Sequence, residues 1–199
     1  MIEKRDLKEY LRADLHRYGG SKTRWYFIKA LFPPLPAFRY TYILRHASVF
    51  PKYSIRGFLY RALLQHYSHK YGFQILPNTR IGKGLYIGHR GTVVVNGLAE
   101  IGDNCTLTHL VTIGQANRGE RKGCPKIGDR VWIGAGAVVV GKIVIGDNVL
   151  IAPNAYVNFD VPSNSIVAGN PAVVTHHANA TEGYVNYAFL ETNEDMERE

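Results

Sequence analysis

The chain has 199 residues, 46% of them hydrophobic and 20% charged, which suits one ordinary soluble domain with a small appendage. Its formal net charge of +8 is uneven: residues 1–72 carry fourteen Lys or Arg against four Asp or Glu, and residues 73–199 carry ten against twelve. Two cysteines exclude a disulfide framework and a cysteine-rich metal site. The basic character of the N-terminal third suits an anionic partner.

No stretch of the sequence predicts a membrane-spanning helix or a secretory signal. The most apolar segment, residues 25–50, is interrupted by charged residues and prolines, whereas a spanning helix needs about 20 mostly apolar residues. Residues 1–10 are charged, with no apolar run behind them. A cytoplasmic protein is therefore expected, with peripheral contact between the basic N-terminal region and the inner face of a membrane as a hypothesis.

Residues 1–72 have the spacing of α-helices. In "LKEYLRADLHRYG" leucine recurs every four residues until two glycines end the pattern. The prolines of "FPPLP" break the following run, and two further helices are predicted in "FRYTYILRHASVF" and "SIRGFLYRALLQHYSHKYG". The last helix has an apolar face whose expected role is packing, formed by Ile55, Leu59, Leu63 and Tyr67.

Residues 73–174 carry an aliphatic residue at every sixth position. The longest in-phase set spans residues 127–157, and two shorter sets span 75–93 and 101–113. The first break adds two residues, which the spacing places after Val93, and the second break adds eight. Repeats of fixed period outrank other fold signals and indicate a solenoid.

Three six-residue segments can form one triangular coil in which the aliphatic residue of each segment points inward. Each such residue then stacks on its equivalent one coil later, at about the 4.8 Å spacing of paired strands. β-Branched residues suit this position because they are stiff and pack well on a pleated surface. The predicted fold is mainly β, with a helical region over residues 1–72, a parallel β-helix over 73–174 and a C-terminal tail over 175–199.

The repeat region resembles the hexapeptide-repeat acyltransferases, and among them the serine acetyltransferases and their polysaccharide O-acetyltransferase relatives. The matching segments are "IGKGLYIGHRGTVVVNGLAEIGDNC", "VTIG", "PKIGDRVWIGAGAVVVGKIVIGDN" and "VPSNSIVAGNPA", within residues 73–174. This resemblance implies a left-handed β-helix, a homotrimer, acetyl-CoA bound in a groove between neighbouring β-helices, and direct acetyl transfer to a hydroxyl without a metal.

The resemblance also implies the site residues. His89, in "IGHRGT", occupies the place of the catalytic histidine, and a neutral imidazole can accept the proton of a hydroxyl that attacks a thioester. Gln74 replaces an aspartate that pairs with this base in serine acetyltransferases, and His109 lies beside "VTIG"; both are expected to contact substrate. The expected acetyl-CoA groove is formed by Gly114, Trp132, Gly134, Ala135, Ala152 and Pro153.

One departure from the serine acetyltransferases bears on the acceptor. Where they carry "RHPKI", this chain has "GCPKI", so Gly123 and Cys124 replace residues that help to hold the amino acid. A serine carboxylate needs a cationic partner such as arginine. The sequence therefore favours a sugar hydroxyl, and the expected function is O-acetylation of a glycan in capsule, exopolysaccharide or lipopolysaccharide synthesis.

Two other functions stay open at this stage. One is serine O-acetyltransferase of cysteine biosynthesis, and the other is a non-catalytic β-helix scaffold. The His89 motif and the segment "AGNPA" argue against the scaffold. Nucleic acid is not an expected partner, because the basic region has no recognisable base-reading module. The insertion "QANRGERKG" offers cations that could steer the phosphates of CoA or an anionic glycan, although a solvated loop explains it equally well.

Overall fold

The structure is a computed structural model that describes residues 3–19, 28 and 35–190. Among the described residues, helices with defined bounds are α1 (Leu7–His16), α2 (Pro36–Val49) and α3 (Ile55–Tyr71). The side chain of Ser54 caps α3 by accepting a hydrogen bond from the Gly57 N–H at 3.0 Å, and Gly72, with φ of 81°, ends the helix. Most of the predicted "FPPLP" break and the acidic residues from 191 onward lie outside the described residues.

Fifteen short strands follow the helices. They are β1 (Phe73–Ile75), β2 (Arg80–Ile81), β3 (Tyr86–Ile87), β4 (Val93–Val95), β5 (Glu100–Ile101), β6 (Thr106–Leu107), β7 (Thr112–Gly114), β8 (Lys126–Ile127), β9 (Trp132–Ile133), β10 (Val138–Val140), β11 (Val144–Ile145), β12 (Val149–Ile151), β13 (Tyr156–Val157), β14 (Ser165–Gly169) and β15 (Ala172–His176).

These strands form the three faces of a solenoid of about five turns. Sheet A contains β1, β4, β7, β10 and β13; sheet B contains β2, β5, β8 and β11; sheet C contains β3, β6, β9, β12 and β14. Every pairing among them is parallel, and β15 adds to sheet C as an antiparallel strand. The predicted parallel β-helix with an N-terminal helical region is confirmed, and its left-handed sense stays a prediction from the resemblance.

The register confirms the inward stack and corrects one break in it. Ile127 pairs with Ile145, eighteen residues later, as expected for three six-residue segments per coil. The two-residue insertion does not follow Val93, because Val95 pairs with Ile113 at the regular spacing while Ile87 and Leu107 are twenty apart. Val93 and Val95 both point inward, so the extra residues lie between Ile87 and Val95, in the loop that contains His89.

The helices close the N-terminal end of the solenoid. Tyr40 of α2 is fully buried, packs edge-on against Phe73 at 5.1 Å between ring centroids, and donates its hydroxyl to the carbonyl of Phe73 at 3.2 Å. The apolar face predicted for α3 is buried only in part. Leu63 and Tyr67 pack against the core, whereas Ile55 is 90% exposed and Leu59 53% exposed, so the packing prediction is wrong for these two residues.

A buried ion pair fixes α1 and α2 to the first coil. Nε and Nη2 of Arg45 donate to the two carboxylate oxygens of Asp14 at 2.9 and 3.0 Å. Arg45 also donates to the carbonyls of Ile81 and Gly82, and the Leu85 N–H donates to Asp14. Since both charges are removed from water, these additional hydrogen bonds are what make the burial tolerable.

The C-terminal segment after β15 runs back across sheet C. Tyr184 packs edge-on against Trp132 with ring centroids 4.9 Å apart. The amide of Asn104 exchanges two hydrogen bonds with the backbone of Phe189, at 3.0 and 2.7 Å. Nε of the buried Arg17 donates to the carbonyl of Asn186 at 2.9 Å, which ties this segment to the end of α1. Within the described residues, no helix is both long and apolar enough to cross a membrane.

Candidate active site at one corner of the solenoid

The expected catalytic residue His89 lies where the chain leaves sheet C for sheet A. We define this C-to-A corner as residues 88–92, 108–111, 134–137 and 152–155, one segment from each of four successive coils. The segments are stacked by backbone hydrogen bonds such as Gly88 N–H to the Leu107 carbonyl at 2.9 Å and Thr108 N–H to the Ile133 carbonyl at 3.1 Å. The fold therefore aligns one short turn from each coil in a column.

His89 and His109 lie on the first two segments of this column, and their rings are close together. Their ring centroids are 5.5 Å apart and their planes nearly perpendicular, at 81°. His89 is exposed, while His109 is partly buried and its Nδ1 atom is buried with no hydrogen-bond partner among the described residues. An unsatisfied buried ring nitrogen is costly in a folded protein, so His109 has hydrogen-bonding capacity available to a bound molecule.

The loop of His89 is placed by its glycine. Gly91 has φ of 131°, a conformation that L side chains rarely adopt, and a Cβ atom there would lie 3.1 Å from the Cβ of His109. Its N–H donates to the carbonyl of Tyr71 at 3.3 Å, which holds the loop against the C-terminal end of α3. The two inserted residues thus form a loop that crosses close over the next coil and brings the two histidines together.

Four of the six expected acetyl-CoA residues share this corner: Gly134, Ala135, Ala152 and Pro153. A Cβ atom at Gly134 would lie 2.6 Å from the nitrogen of Pro153, so glycine is required there for the coils to stack. The N–H of Gly134 donates to Ile151 and that of Ala152 to Val167. In the described part of the chain, the N–H of Ala135 makes no backbone hydrogen bond, which leaves this donor for a ligand.

The other expected site residues lie apart from this column. Gly114 is the last residue of β7, where the chain leaves sheet A for sheet B, so it lies at the other end of the strands of sheet A. Gln74 points outward from β1, because its neighbours Phe73 and Ile75 face the core, and no hydrogen bond joins it to His89 within the described residues. Trp132 stands on the outer side of sheet C, where Tyr184 covers part of its ring. Their roles as substrate or cofactor contacts stay predictions.

The eight-residue insertion forms a pinned hairpin beyond Gly114. Ala116 and Gly123 are joined by an antiparallel bridge. The carbonyl of Arg121 accepts the Lys142 N–H at 2.8 Å, and its guanidinium lies 3.4 Å from the Asp160 carboxylate. The hairpin therefore projects from the corner between sheets A and B, beside Gly114.

Neither cysteine has the features of a nucleophile. Burial raises the pKa of the Cys105 thiol to about 12, and burial also raises the pKa of Cys124 above its ordinary value. A raised pKa leaves little thiolate at neutral pH. No cluster of three or more His, Cys, Asp or Glu capable of holding a metal ion occurs among the described residues.

Neither of two surface grooves contains the histidine pair. One groove of about 360 Å³ lies between α2 and sheet B, lined by residues such as Leu44, Thr79 and Ile101, and a second of similar size lies beside Asp103 and Asp129. Neither groove includes His89 or His109.

Comparison with known proteins places this architecture in a family. The model of the bacterial transferase hexapeptide family (six repeats) matches residues 124–158. A serine acetyltransferase from Helicobacter pylori is 36% identical over 167 residues, which are 84% of this chain and 95% of the relative. The chain belongs to the hexapeptide-repeat transferase family. The prediction of an acetyltransferase enzyme is thereby confirmed.

Two solved serine acetyltransferase structures resemble the described fold. A soybean serine acetyltransferase complexed with serine superimposes with a TM-score of 0.72 at 31% identity, covering 86% of this chain and 70% of the soybean chain. A Brucella abortus serine acetyltransferase in complex with coenzyme A gives a TM-score of 0.73 at 29% identity, covering 89% and 71%.

The expectation of a sugar acceptor in surface polysaccharide synthesis is wrong, because these relatives are serine acetyltransferases and none of them points to the polysaccharide branch. The sequence favours a sugar acceptor only if a serine carboxylate has to be held from the position of Gly123 and Cys124. The structure offers another cation, since the exposed Arg90 directly follows His89. Arg90 directly follows the expected base in the sequence, and this adjacency is the signal by which the sequence alone could have identified it.

Proposed function

We propose that this transferase catalyses the acetyl-CoA-dependent O-acetylation of L-serine. The observation that carries the proposal is the match to a serine acetyltransferase over 95% of the length of that relative. Its support in the structure is the pairing of the exposed His89 with the partly buried His109 on a column of small corner residues. This reaction is the alternative that the sequence left open, and it needs no enzyme nucleophile, in agreement with the raised pKa values of both cysteines.

In the proposed mechanism His89 is the general base. The serine hydroxyl gives its proton to the imidazole as its oxygen attacks the thioester carbonyl, and a C–O bond forms. The C–S bond then breaks, and the imidazolium returns the proton to the CoA thiolate, so that O-acetylserine and CoA leave. A general base of this kind contributes typically 10²–10⁴-fold. The free N–H of Ala135 is suited to donate to the carbonyl oxygen as charge develops on it.

The acceptor is held by groups beside the base. Arg90 is exposed and adjacent to His89, and a guanidinium is the side chain best suited to pair with a carboxylate. His109, with its unpartnered Nδ1, can orient the hydroxyl or the amino group of serine. Gln74 is a further substrate contact only if the serine extends across sheet A.

The acetyl-CoA groove is proposed to be shared between subunits of a homotrimer. The expected contacts lie at the two ends of the strands of sheet A. Ala135 and Pro153 are at the C-to-A corner, and Gly114 is at the other end, beside the hairpin of residues 115–123. If the corner of one subunit faces the hairpin edge of the next, both sets line a single groove. In this arrangement His89 of one subunit would face the hairpin of residues 115–123 of the next subunit.

The decisive assay measures serine-dependent release of CoA thiol together with O-acetylserine by mass spectrometry. L-Serine is compared with D-serine, L-homoserine and ethanolamine at matched concentrations. Turnover with L-serine well above that with the other three is the expected result. Release of thiol that is unchanged by omitting L-serine, in protein whose fold is verified by circular dichroism, would overturn the proposal.

A further inference from the structure

The start of α3 presents four exposed apolar side chains on the protein surface. Tyr53 is 94% exposed, Ile55 90%, Phe58 72% and Leu59 53%. They lie within seven consecutive residues, and we call this group the α3 apolar corner. Isolated exposed apolar residues are ordinary, but a contiguous group of large ones marks a surface that contacts something apolar.

Cations surround this corner, and carboxylates are missing from the sequence around it. Lys52 lies over the Tyr53 ring at 5.5 Å, and Arg56 lies over the Phe50 ring at 5.7 Å. Between residues 15 and 99 the sequence contains thirteen Lys or Arg and no Asp or Glu. The partner that complements such a surface combines negative charge with apolar depth.

The corner is rigidly built. A Cβ atom at Gly57 would lie 1.9 Å from the carbonyl oxygen of Pro51, so the turn packs directly on the first turn of the helix. Ser54 caps that helix and also donates its hydroxyl to the Pro51 carbonyl at 2.8 Å. The backbone of this turn is therefore closely packed, so it has little conformational freedom to lose when a partner binds.

This corner is separate from the histidine site. The loop of His89 contacts α3 at Tyr71, the last residue of the helix, whereas the apolar corner occupies its first turn. A helix of 17 residues is roughly 25 Å long. The corner therefore has no place in the transfer reaction, and its apolar exposure needs another explanation.

We propose that the α3 apolar corner docks the protein on the surface of a bilayer that contains anionic lipid. Aromatic and aliphatic side chains would enter the headgroup boundary while Lys52 and Arg56 pair with lipid phosphates. A second copy is a poorer occupant, because a symmetric contact would bring the same two cations against each other with no carboxylate to separate them. The proposal does not depend on which hydroxyl the enzyme acetylates.

Vesicle flotation tests the proposal with the whole protein. Vesicles of phosphatidylcholine are compared with vesicles that also contain phosphatidylglycerol, at low and high salt. Binding is expected only with phosphatidylglycerol and is expected to weaken with salt. Lys52→Gln/Arg56→Gln should lower the partition coefficient about 30-fold, and Ile55→Ser/Phe58→Ser should lower it by roughly tenfold or more.

Matched variants separate a local contact from general charge or hydrophobicity. Lys126→Gln/Lys142→Gln removes the same charge from exposed β-helix residues. Leu98→Ser/Val173→Ser removes side chains that are 73% and 67% exposed, close to the exposure of Phe58. Both controls should bind vesicles like the wild type.

Equal binding by the corner variants and their controls, or equal binding to both vesicle types, would overturn the proposal. So would vesicle binding that is absent altogether. If sedimentation velocity shows that Ile55→Ser/Phe58→Ser lowers the oligomeric mass and the wild type does not float, a second copy covers the corner instead of lipid.

Discussion

The side chain of His89 is exposed on its loop, and in the described part of the chain its one ring contact is with His109. Replacing His89 by alanine should lower kcat about 10²- to 10⁴-fold because the serine hydroxyl loses its base. The KM for acetyl-CoA should change little, since the base does not hold the donor. The readout is thiol release, and His66→Ala, on the exposed face of α3, is the control. A folded His89→Ala enzyme with wild-type kcat would assign the base elsewhere, with His109 the first residue to examine.

Replacing Arg90 tests how the acceptor is bound, and it is not expected to affect the chemical step. Arg90→Gln should raise the KM for L-serine roughly 10- to 100-fold, because a charge-assisted hydrogen bond to the carboxylate is lost. The KM for acetyl-CoA should stay unchanged. Ethanolamine, which has no carboxylate, should react equally with both enzymes, whereas Arg80→Gln should leave all these constants unaltered. Equal losses with serine and ethanolamine would mean that Arg90 supports the loop and not the carboxylate.

At the scale of single elements, the corner turns depend on how closely the coils approach. Gly134→Ala should destabilise the protein by about 1–3 kcal/mol, because its Cβ would lie 2.6 Å from the nitrogen of Pro153. Gly88→Ala is the matched control: it follows Ile87 at the same corner, and its nearest neighbour would be Tyr86 at 3.4 Å. Urea denaturation measures both. Equal midpoints would show that the corner relaxes freely.

Much of this element-scale structure could be predicted from the sequence. The inward stack follows from the period of six, since each aliphatic residue needs a partner one coil away. The insertion at His89 was misplaced because the run Val93–Val95 has two inward residues, so spacing alone did not reveal which of them continues the stack. The meeting of His89 with His109 depends on the path of that loop, which the period does not encode.

The helices illustrate the same limit. Leucine spacing predicted α1 and an apolar face predicted α3, but the cap on the solenoid also needs the buried pair of Asp14 and Arg45. Asp14→Asn should destabilise the protein by about 3–5 kcal/mol, since it leaves Arg45, 2% exposed, without its counter-charge. Glu100→Gln, in the exposed pair with Arg80, should cost at most about 1 kcal/mol. Similar thermal midpoints for the two variants would show that solvent reaches Arg45.

At the scale of the whole molecule, the solenoid is closed at one end by helices and covered on sheet C by its own C-terminal segment. Sheet C is screened by contacts such as Tyr184 with Trp132, while His89 at the C-to-A corner and most of the hairpin of residues 115–123 are exposed. A trimer that joins these two exposed regions leaves the helices and the α3 apolar corner outside the shared groove. The active site and the proposed lipid contact can then operate in the same assembly.

A shared groove predicts complementation between two inactive chains. His89→Ala removes the base from the C-to-A corner, and Gly114→Trp blocks the corner beside the hairpin. Each alone should leave at most about 1% of the wild-type turnover while keeping the fold. In trimers assembled from equal amounts of both, each groove draws its two walls from different subunits, so about a quarter of the grooves combine two intact walls. Co-expressed mixtures should therefore recover about a quarter of the wild-type rate. Mixtures that stay as inactive as the separate variants would place the whole groove within a single chain.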